Sequence, residues 1–395
     1  MSDTLSIALV GLGGYAQCYA NELFDNAANN NAQFTAVIDP LAKKSDLYSR
    51  VIDANIPIFD SLEEFYQTQS ADLVCIASPI TFHREQAILA VQNGSSVLCE
   101  KPAAATLEDA QAMYDAQNET GKFIAIGYQL SYHSVTHKLK ADINSGKFGQ
   151  VNSMTVLTHW PRTHSYYNRA SWAGAKYSNG QAVFDSPLNN ATAHYLHNAF
   201  YLLGDTAHSS AKPKSLIAET YRANNIENFD TVAVHAKTES NVDLHFYASH
   251  ATDSQIGPIM TMNCEDSRIV STPSSYNSSY IAYMNNGEEH HYQLDPDESY
   301  MKKIWDCVDA IRTGARPLCD IEAALSHSMA VSAAQRSCEI VDFPEELVEH
   351  IPKENDDILT AVPTLGELLV QCAAAGKLPA DFDIEWAAKS KTITF

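Results

Sequence analysis

The run Gly11-Leu12-Gly13-Gly14-Tyr15-Ala16 puts small residues where a backbone has to bend sharply and then lie against a charged ligand. In such a G-x-G-x-x-A spacing the first glycine permits a tight turn and the second lets the backbone approach a pyrophosphate. The alanine keeps the following helix close to its sheet, and the N–H groups of the first turn face the phosphates. Gly14 and Tyr15 complete that turn. Asp39 closes the second apolar run, where a carboxylate accepts hydrogen bonds from an adenosine ribose and repels a 2′-phosphate. The cofactor expected is therefore NAD, with NADP disfavoured by Asp39 but left open. Ser78-Pro79 and Glu100-Lys101 follow later apolar runs, at the strand ends where ligands of such sheets bind. Each has a plainer reading: an ordinary glycine turn, an Asp-Pro turn former, a strand terminator, and a surface lysine before a proline.

The elements that position these residues alternate. Ser6–Val10, Gln33–Ile38, Leu73–Ala77, Ser96–Cys99 and Phe123–Ile126 read as strands. Gly14–Asn26, Leu62–Gln67, Arg84–Asn93 and Leu107–Thr120 read as helices between them. Strands that are unbroken apolar runs imply a doubly wound parallel sheet covered on both faces, a Rossmann domain over residues 1–127. After a helix near Ser134–Ser145 the pattern changes. Val151–Thr158, Asp230–Lys237, Asp243–Thr252, Ile259–Asn263, Ser279–Met284 and His290–Leu294 alternate polar and apolar residues, as in an open, mainly antiparallel sheet with one wet face. Helices are expected at Asn190–Leu203, Ser299–Thr313 and Glu322–Glu339, giving an α+β domain over 128–340 for substrate binding and oligomerisation. An extension over 341–395 starts acidic and ends helix-like.

The chain has 395 residues, 26 Lys+Arg against 48 Asp+Glu and a formal net charge of −22. Such a field repels nucleic acid and anionic lipid. Residues Met1 to Thr4 lack the basic start of a signal peptide, no run reaches the roughly 20 apolar residues of a spanning helix, and the eight cysteines are scattered. A cytoplasmic protein is expected. No metal is expected either: His290-His291 falls in an exposed strand, and His159 and His164 lack a carboxylate or thiolate beside them.

The glycine fingerprint, the step Ser78-Pro79-x-x-x-His83, the triplet Glu100-Lys101-Pro102 and Gly127-Tyr128 together resemble the glucose-fructose oxidoreductase/inositol dehydrogenase/MocA family, over about the first 340 residues. The resemblance implies that Lys101 sits beside the nicotinamide and hydrogen-bonds the reacting hydroxyl. It extends the cofactor set to Ser78, Pro79, His83 and Glu100. It also implies a substrate helix with an Asp and a His four residues apart that ends about ten residues later at a glycine. Counting back from Gly204 places the His at His194 and the Asp position at Asn190. That is a departure, because an amide cannot take a proton as a carboxylate can. Relatives pair through the outer faces of their open sheets, so a homodimer or homotetramer is expected.

On one continuous helix Asn190, His194 and His197 would share a face, at i, i+4 and i+7. Removing a hydride from a secondary alcohol needs a base for the O–H proton and a cation near the developing oxyanion. His194 suits the first role, and a buried Lys101 of lowered pKa the second. Core packing is the plainer role for both histidines. The aromatic and polar stretch Trp160-Pro161-Arg162, Tyr166-Tyr167-Asn168-Arg169 and Trp172-Ala173-Gly174 suits a polyol, rings covering C–H patches while Arg and Asn read hydroxyls; Arg169 and Trp172 join Tyr128 and Gln129 as substrate candidates. The expected activity is thus NAD-dependent oxidation of a sugar, sugar derivative or cyclitol. The alternatives are an NAD-retaining glycosidase or epimerase-like enzyme, told apart by the absence of net NADH, and a non-catalytic NAD- and sugar-binding regulator, against which Lys101 and His194 argue.

Overall fold

The computed structural model describes residues 4–272 and 279–395. Most of the start read above for its lack of basic residues, 1–3, lies outside the described residues. The chain forms two compact units, residues 1–132 with 297–325 and residues 133–296 with 326–395.

In the first unit β1 (Leu5–Val10), α1 (Ala16–Asn26), β2 (Ala32–Ile38), α2 (Tyr48–Asp53), β3 (Ile58–Phe59), α3 (Leu62–Thr68), β4 (Leu73–Ile76), α4 (His83–Gln92), β5 (Ser96–Cys99), α5 (Leu107–Thr120) and β6 (Ile124–Ile126) alternate as the apolar runs require. The sheet order is β3-β2-β1-β4-β5-β6, with every pairing parallel. This is the doubly wound Rossmann order, reversing direction at β1, beside which dinucleotides bind. Val10 pairs with both Ile38 and Ile76, Ile76 with Cys99 and Cys99 with Ile126. Four neighbouring strands and the strand after them thus end level, and whatever follows each must share one edge.

The second unit holds α6 (Ser134–Asn144), β7 (Val151–His159), the short α7 (His164–Asn168), the two-residue strands β8 (Tyr177–Ser178) and β9 (Gln181–Ala182), α8 (Ala193–Leu202), β10 (Pro213–Arg222), β11 (Thr231–Thr238), β12 (Asp243–Ser249), β13 (Ile256–Cys264), β14 (Ser267–Thr272), β15 (Ser279–Met284) and β16 (Glu289–Tyr292). The large sheet includes the run β16-β15-β14-β13-β7-β12-β11-β10, which is antiparallel along its length except where β12 and β7 run parallel. Neither β10 nor β14 follows from the sequence pattern. β10 begins at a proline and is buried on both faces over much of its length, which erases the polar alternation that marks its neighbours.

Then α9 (Lys302–Thr313) returns to the first unit, because Ile304, Cys307 and Val308 join the core of Ile7, Leu9, Leu73 and Cys75. The linear reading places this segment in the second domain; its apolar stripe packs with the first. α10 (Ile321–Ser337) carries the chain back into the second unit, followed by β17 (Val341–Asp342), β18 (Glu349–Pro352), β19 (Ile358–Ala361), α11 (Leu365–Ala375) and β20 (Ile393–Thr394). None of the eight cysteines forms a disulfide. Among the described residues no helix is long and apolar enough to cross a membrane, and no cluster of three or more His, Cys, Asp or Glu gathers as a metal site.

The expected helix Asn190–Leu203 is not one helix. Ser186 caps a π-helical turn over Pro187–Ala191, accepting from Asn189 N. Thr192 then leaves helical geometry at φ −107°, its hydroxyl donating to Pro187 O at 2.7 Å, before α8 begins. Asn190 and His194 therefore do not lie on one continuous α-helix. A Ser-Pro pair opening its own turn is the local cause.

Candidate active site

Along the level edge of the first unit, Gly11 follows β1. Its φ of +93° lies in the left-handed region, and an added Cβ would come within 3.1 Å of Ala77 O. A side chain is thus excluded twice over. Gly13 is different, because a Cβ there would meet no atom within 4 Å. The chain's own packing does not require that glycine, as expected where a ligand must come close. Ala16 is fully buried at the start of α1, and Tyr15 stands beside it 46% exposed. The Asp39 carboxylate reaches back to the glycine turn: Leu12 N donates to Oδ2 at 2.8 Å and Leu41 N to Oδ1 at 2.7 Å. The turn-forming reading holds for it, and the carboxylate keeps further lone pairs beyond these two contacts.

Two residues expected at the cofactor also brace the fold. His83 is buried, with Nδ1 3.0 Å from Pro102 O and Nε2 2.9 Å from Ser78 O, so it ties the segment after β4 to that after β5. Burial lowers its pKa. The Ser78 hydroxyl donates to Gln86 Oε1 at 2.6 Å. Glu100 is buried too: Oε1 accepts from the Tyr19 hydroxyl at 2.6 Å and from Lys303 Nζ, while Oε2 accepts from Lys101 N at 3.0 Å. Burial alone would raise the Glu100 carboxyl, but the Lys303 ammonium and the Tyr19 hydroxyl hold it below the ordinary carboxylate value. Gly127 makes room for this carboxylate, since a Cβ there would lie 2.7 Å from Oε1. Lys303 was invisible to sequence reasoning because α9 lies far along the chain, and Tyr19 because its partner Glu100 is 81 residues away. Lys101 emerges half-buried on the same edge, Gln129 opens a helical turn just past β6, and Tyr128 is fully buried in the packing.

The second unit gathers its polar residues at one sheet edge. β7 and β12 end in register, with His159 opposite Ser249. Trp160, Arg162 and His250 therefore emerge together, Arg162 N donating to His250 O at 3.0 Å. The Arg162 guanidinium lies 4.9 Å from the Tyr166 ring, and that of Arg169 lies 3.6 Å from Tyr166 and 4.7 Å from Trp172. Asp185 accepts from Gly174 N at 2.6 Å and from Asn190 Nδ2 at 2.7 Å, and stands 3.9 Å from Arg169. A carboxylate thus touches Asn190 after all, supplied five residues upstream through the π turn. The Asp-Ser-Pro sequence was the available signal. His194 lies half-buried in the first turn of α8, next to Tyr195, whose ring meets Trp160 edge-on at 5.6 Å. His197 is fully buried and stacked on Tyr201, with burial lowering its pKa well below the usual value. Its place is the core.

Comparison with known proteins agrees with this division. Residues 5–128 match the family described as an oxidoreductase family with an NAD-binding Rossmann fold, and residues 136–270 match the GFO/IDH/MocA C-terminal domain. The chain is 25% identical over 214 residues to a D-glucoside 3-dehydrogenase of Escherichia coli (strain K12), an alignment covering 54% of this chain and 58% of that one. It is 23% identical over 187 residues to an inositol 2-dehydrogenase of Azotobacter vinelandii, covering 47% and 52%. The chain thus spans little more than half of either relative. Its fold is also that of the WlbA dehydrogenase from Bordetella pertussis, solved with NADH and UDP-GlcNAcA, at a TM-score of 0.68 and 20% identity over 85% of this chain and 95% of that one.

Proposed function

We infer that this chain, which belongs to the Gfo/Idh/MocA family of NAD-binding oxidoreductases, is a dehydrogenase that exchanges a hydride between NAD and a secondary hydroxyl of a sugar, sugar derivative or cyclitol. The observation that carries the reading is the level strand edge of the first unit, where a glycine turn with open space at Gly13, the Asp39 carboxylate and Lys101 stand along neighbouring strand ends. That donor set fits an adenine dinucleotide: backbone N–H groups at the start of α1 for the pyrophosphate, and Asp39 for the ribose, with a preference for NAD over NADP. When bound, the nicotinamide supplies the hydride acceptor or donor.

Lys101 donates a hydrogen bond to the reacting oxygen and offsets the negative charge that grows there as the C–H bond breaks. His194 takes the hydroxyl proton. Asn190, held by Asp185, orients a neighbouring hydroxyl and carries no proton, because an amide has no titratable form near neutral pH. The rings of Tyr166 and Trp172 cover the C–H face of the substrate, and Arg169 reads its oxygens. The relatives' names support the substrate class, a glucoside hydroxyl in one and inositol in the other.

The test is NADH formation during incubation of the protein and NAD with a panel of aldoses, uronates, sugar phosphates and inositols. Net NADH with at least one of them is expected. Substrate turnover without net NADH would replace the dehydrogenase by an enzyme that returns the hydride each cycle, and NADH binding without any turnover would replace it by a sensor.

A further inference from the structure

We infer that the second unit is built for a substrate carrying an anionic group, a carboxylate or phosphate on the sugar, and that the Arg162 guanidinium is its receptor; this specifies the substrate class of the dehydrogenase reading and rests on it. Arg162 is flanked by two aromatic rings, Trp160 at 5.6 Å and Tyr166 at 4.9 Å from its guanidinium carbon. Its Nε is buried and has no hydrogen-bond partner. Among the described residues no carboxylate pairs with it. Buried donors of a permanent cation are almost always satisfied, yet the chain's own described residues supply this guanidinium with no acceptor at Nε and no carboxylate within ion-pair distance. The chain does not lack acids to fill it, with 48 Asp+Glu against 26 Lys+Arg.

The neighbouring groups sharpen the point. Arg169 already donates to Tyr166 O and faces Asp185 at 3.9 Å, so its charge is partly answered. Asp185 in turn is engaged by Gly174 N and Asn190. The Tyr167 hydroxyl and His250 Nε2 are also buried without hydrogen-bond partners. His250 is neutral at working pH, its pKa pushed down to about 3 first by burial and then by the charges of Arg162 and Arg169. Among the described residues the cluster therefore holds one guanidinium with no carboxylate within ion-pair distance, beside the neutral Tyr167 hydroxyl and His250, and a planar guanidinium can grip two oxygens of one anion at once. A neutral hydroxyl could accept one such bond but would leave the charge unanswered.

The experiment titrates the protein by calorimetry, at constant ionic strength and both with and without NADH, with D-glucuronate, D-glucose 6-phosphate and D-glucose. Wild type, Arg162→Gln and Arg162→Lys are compared. At least one anionic sugar should bind about tenfold to a hundredfold more tightly than glucose, the margin of a charge-assisted pair, and the two anions together tell carboxylate from phosphate. Arg162→Gln should erase that margin and Arg162→Lys keep part of it, with NADH affinity within about twofold of wild type in both as a check on folding. Equal binding of all three sugars to wild type, no binding by either anion, or a margin that survives Arg162→Gln would each overturn the anion receptor. Failure to bind NADH would remove the dehydrogenase reading instead, and the titrations without cofactor would still decide the receptor.

Discussion

Lys101 and Glu100 are neighbours with opposite duties. Lys101 is the half-exposed group proposed to meet the reacting oxygen, while Glu100 is buried and wholly engaged by Tyr19, Lys303 and the Lys101 N–H. Lys101→Met should lower kcat by about 10²–10⁴-fold and leave the NADH dissociation constant nearly unchanged, as steady-state kinetics and fluorescence titration would report. Glu100→Gln should instead cost about 3–5 kcal/mol of stability in denaturant melts, because it strands the buried Lys303 charge. The glycine turn, Asp39 and Lys101 were legible in the sequence because each follows a strand directly, so local pattern alone places it. The contacts that give Asp185 and Arg162 their roles were not, since they are set by the π turn and by the register of β7 with β12. Asp185→Ala should release Asn190 and Arg169 and raise KM about tenfold, the worth of a lost charge-assisted hydrogen bond, with a smaller change in kcat.

At the scale of elements, the βαβ alternation of the first unit was legible because its strands are short apolar runs. Three features of the second unit were not: β10, whose double burial hides its period, β14, and the break at Thr192, which closes the turn bearing Asn190 before α8 begins. The 341–395 extension gains a role here. Its β18–β19 hairpin holds α7, the segment bearing Tyr166 and Tyr167. Thr163 bridges to Leu359, His164 Nε2 lies 2.9 Å from the Thr360 hydroxyl, and Ser165 N donates to Asp357 at 3.1 Å. Thr360 is 1% exposed and also meets His350 Nδ1 at 3.1 Å. Thr360→Val keeps the volume and removes both contacts. It should cost about 1–3 kcal/mol and raise KM more than it lowers kcat, since the aromatic wall moves while Lys101 and His194 keep their sequence neighbours. Thermal melts and saturation kinetics on the same variant check both halves.

At the scale of the molecule, the large sheet has two unlike faces set by the period of two along its strands. Val232, Val234, Leu244, Phe246, Met154 and Val156 face one core, whereas Ala233, Tyr247 and Leu157 face another with Leu365, Leu369 and Cys372 of α11. The resemblance implied pairing of copies through the outer face; along β7, β12, β11 and β10 that face is covered by the chain's own tail. It is also where neutral histidines are buried. His159 and His245 are both pushed down to about 4, first by burial. A histidine of depressed folded pKa contributes stability that is fully present above its unfolded value of about 6.5 and is lost as pH falls through the folded value. Stability should therefore drop between about pH 6.5 and 4 by up to about 3 kcal/mol for the fully buried His159, and His159→Gln should flatten that slope in urea melts across pH. The central claim is hydride exchange between a sugar and NAD with Lys101 at the reacting oxygen. The most direct measurement is mass spectrometry of the NADH formed from NAD and a perdeuterated sugar substrate. The account predicts one deuterium per NADH, formed about 10²-fold or more slowly by Lys101→Met; NADH without deuterium, or the same rate in the variant, would contradict it.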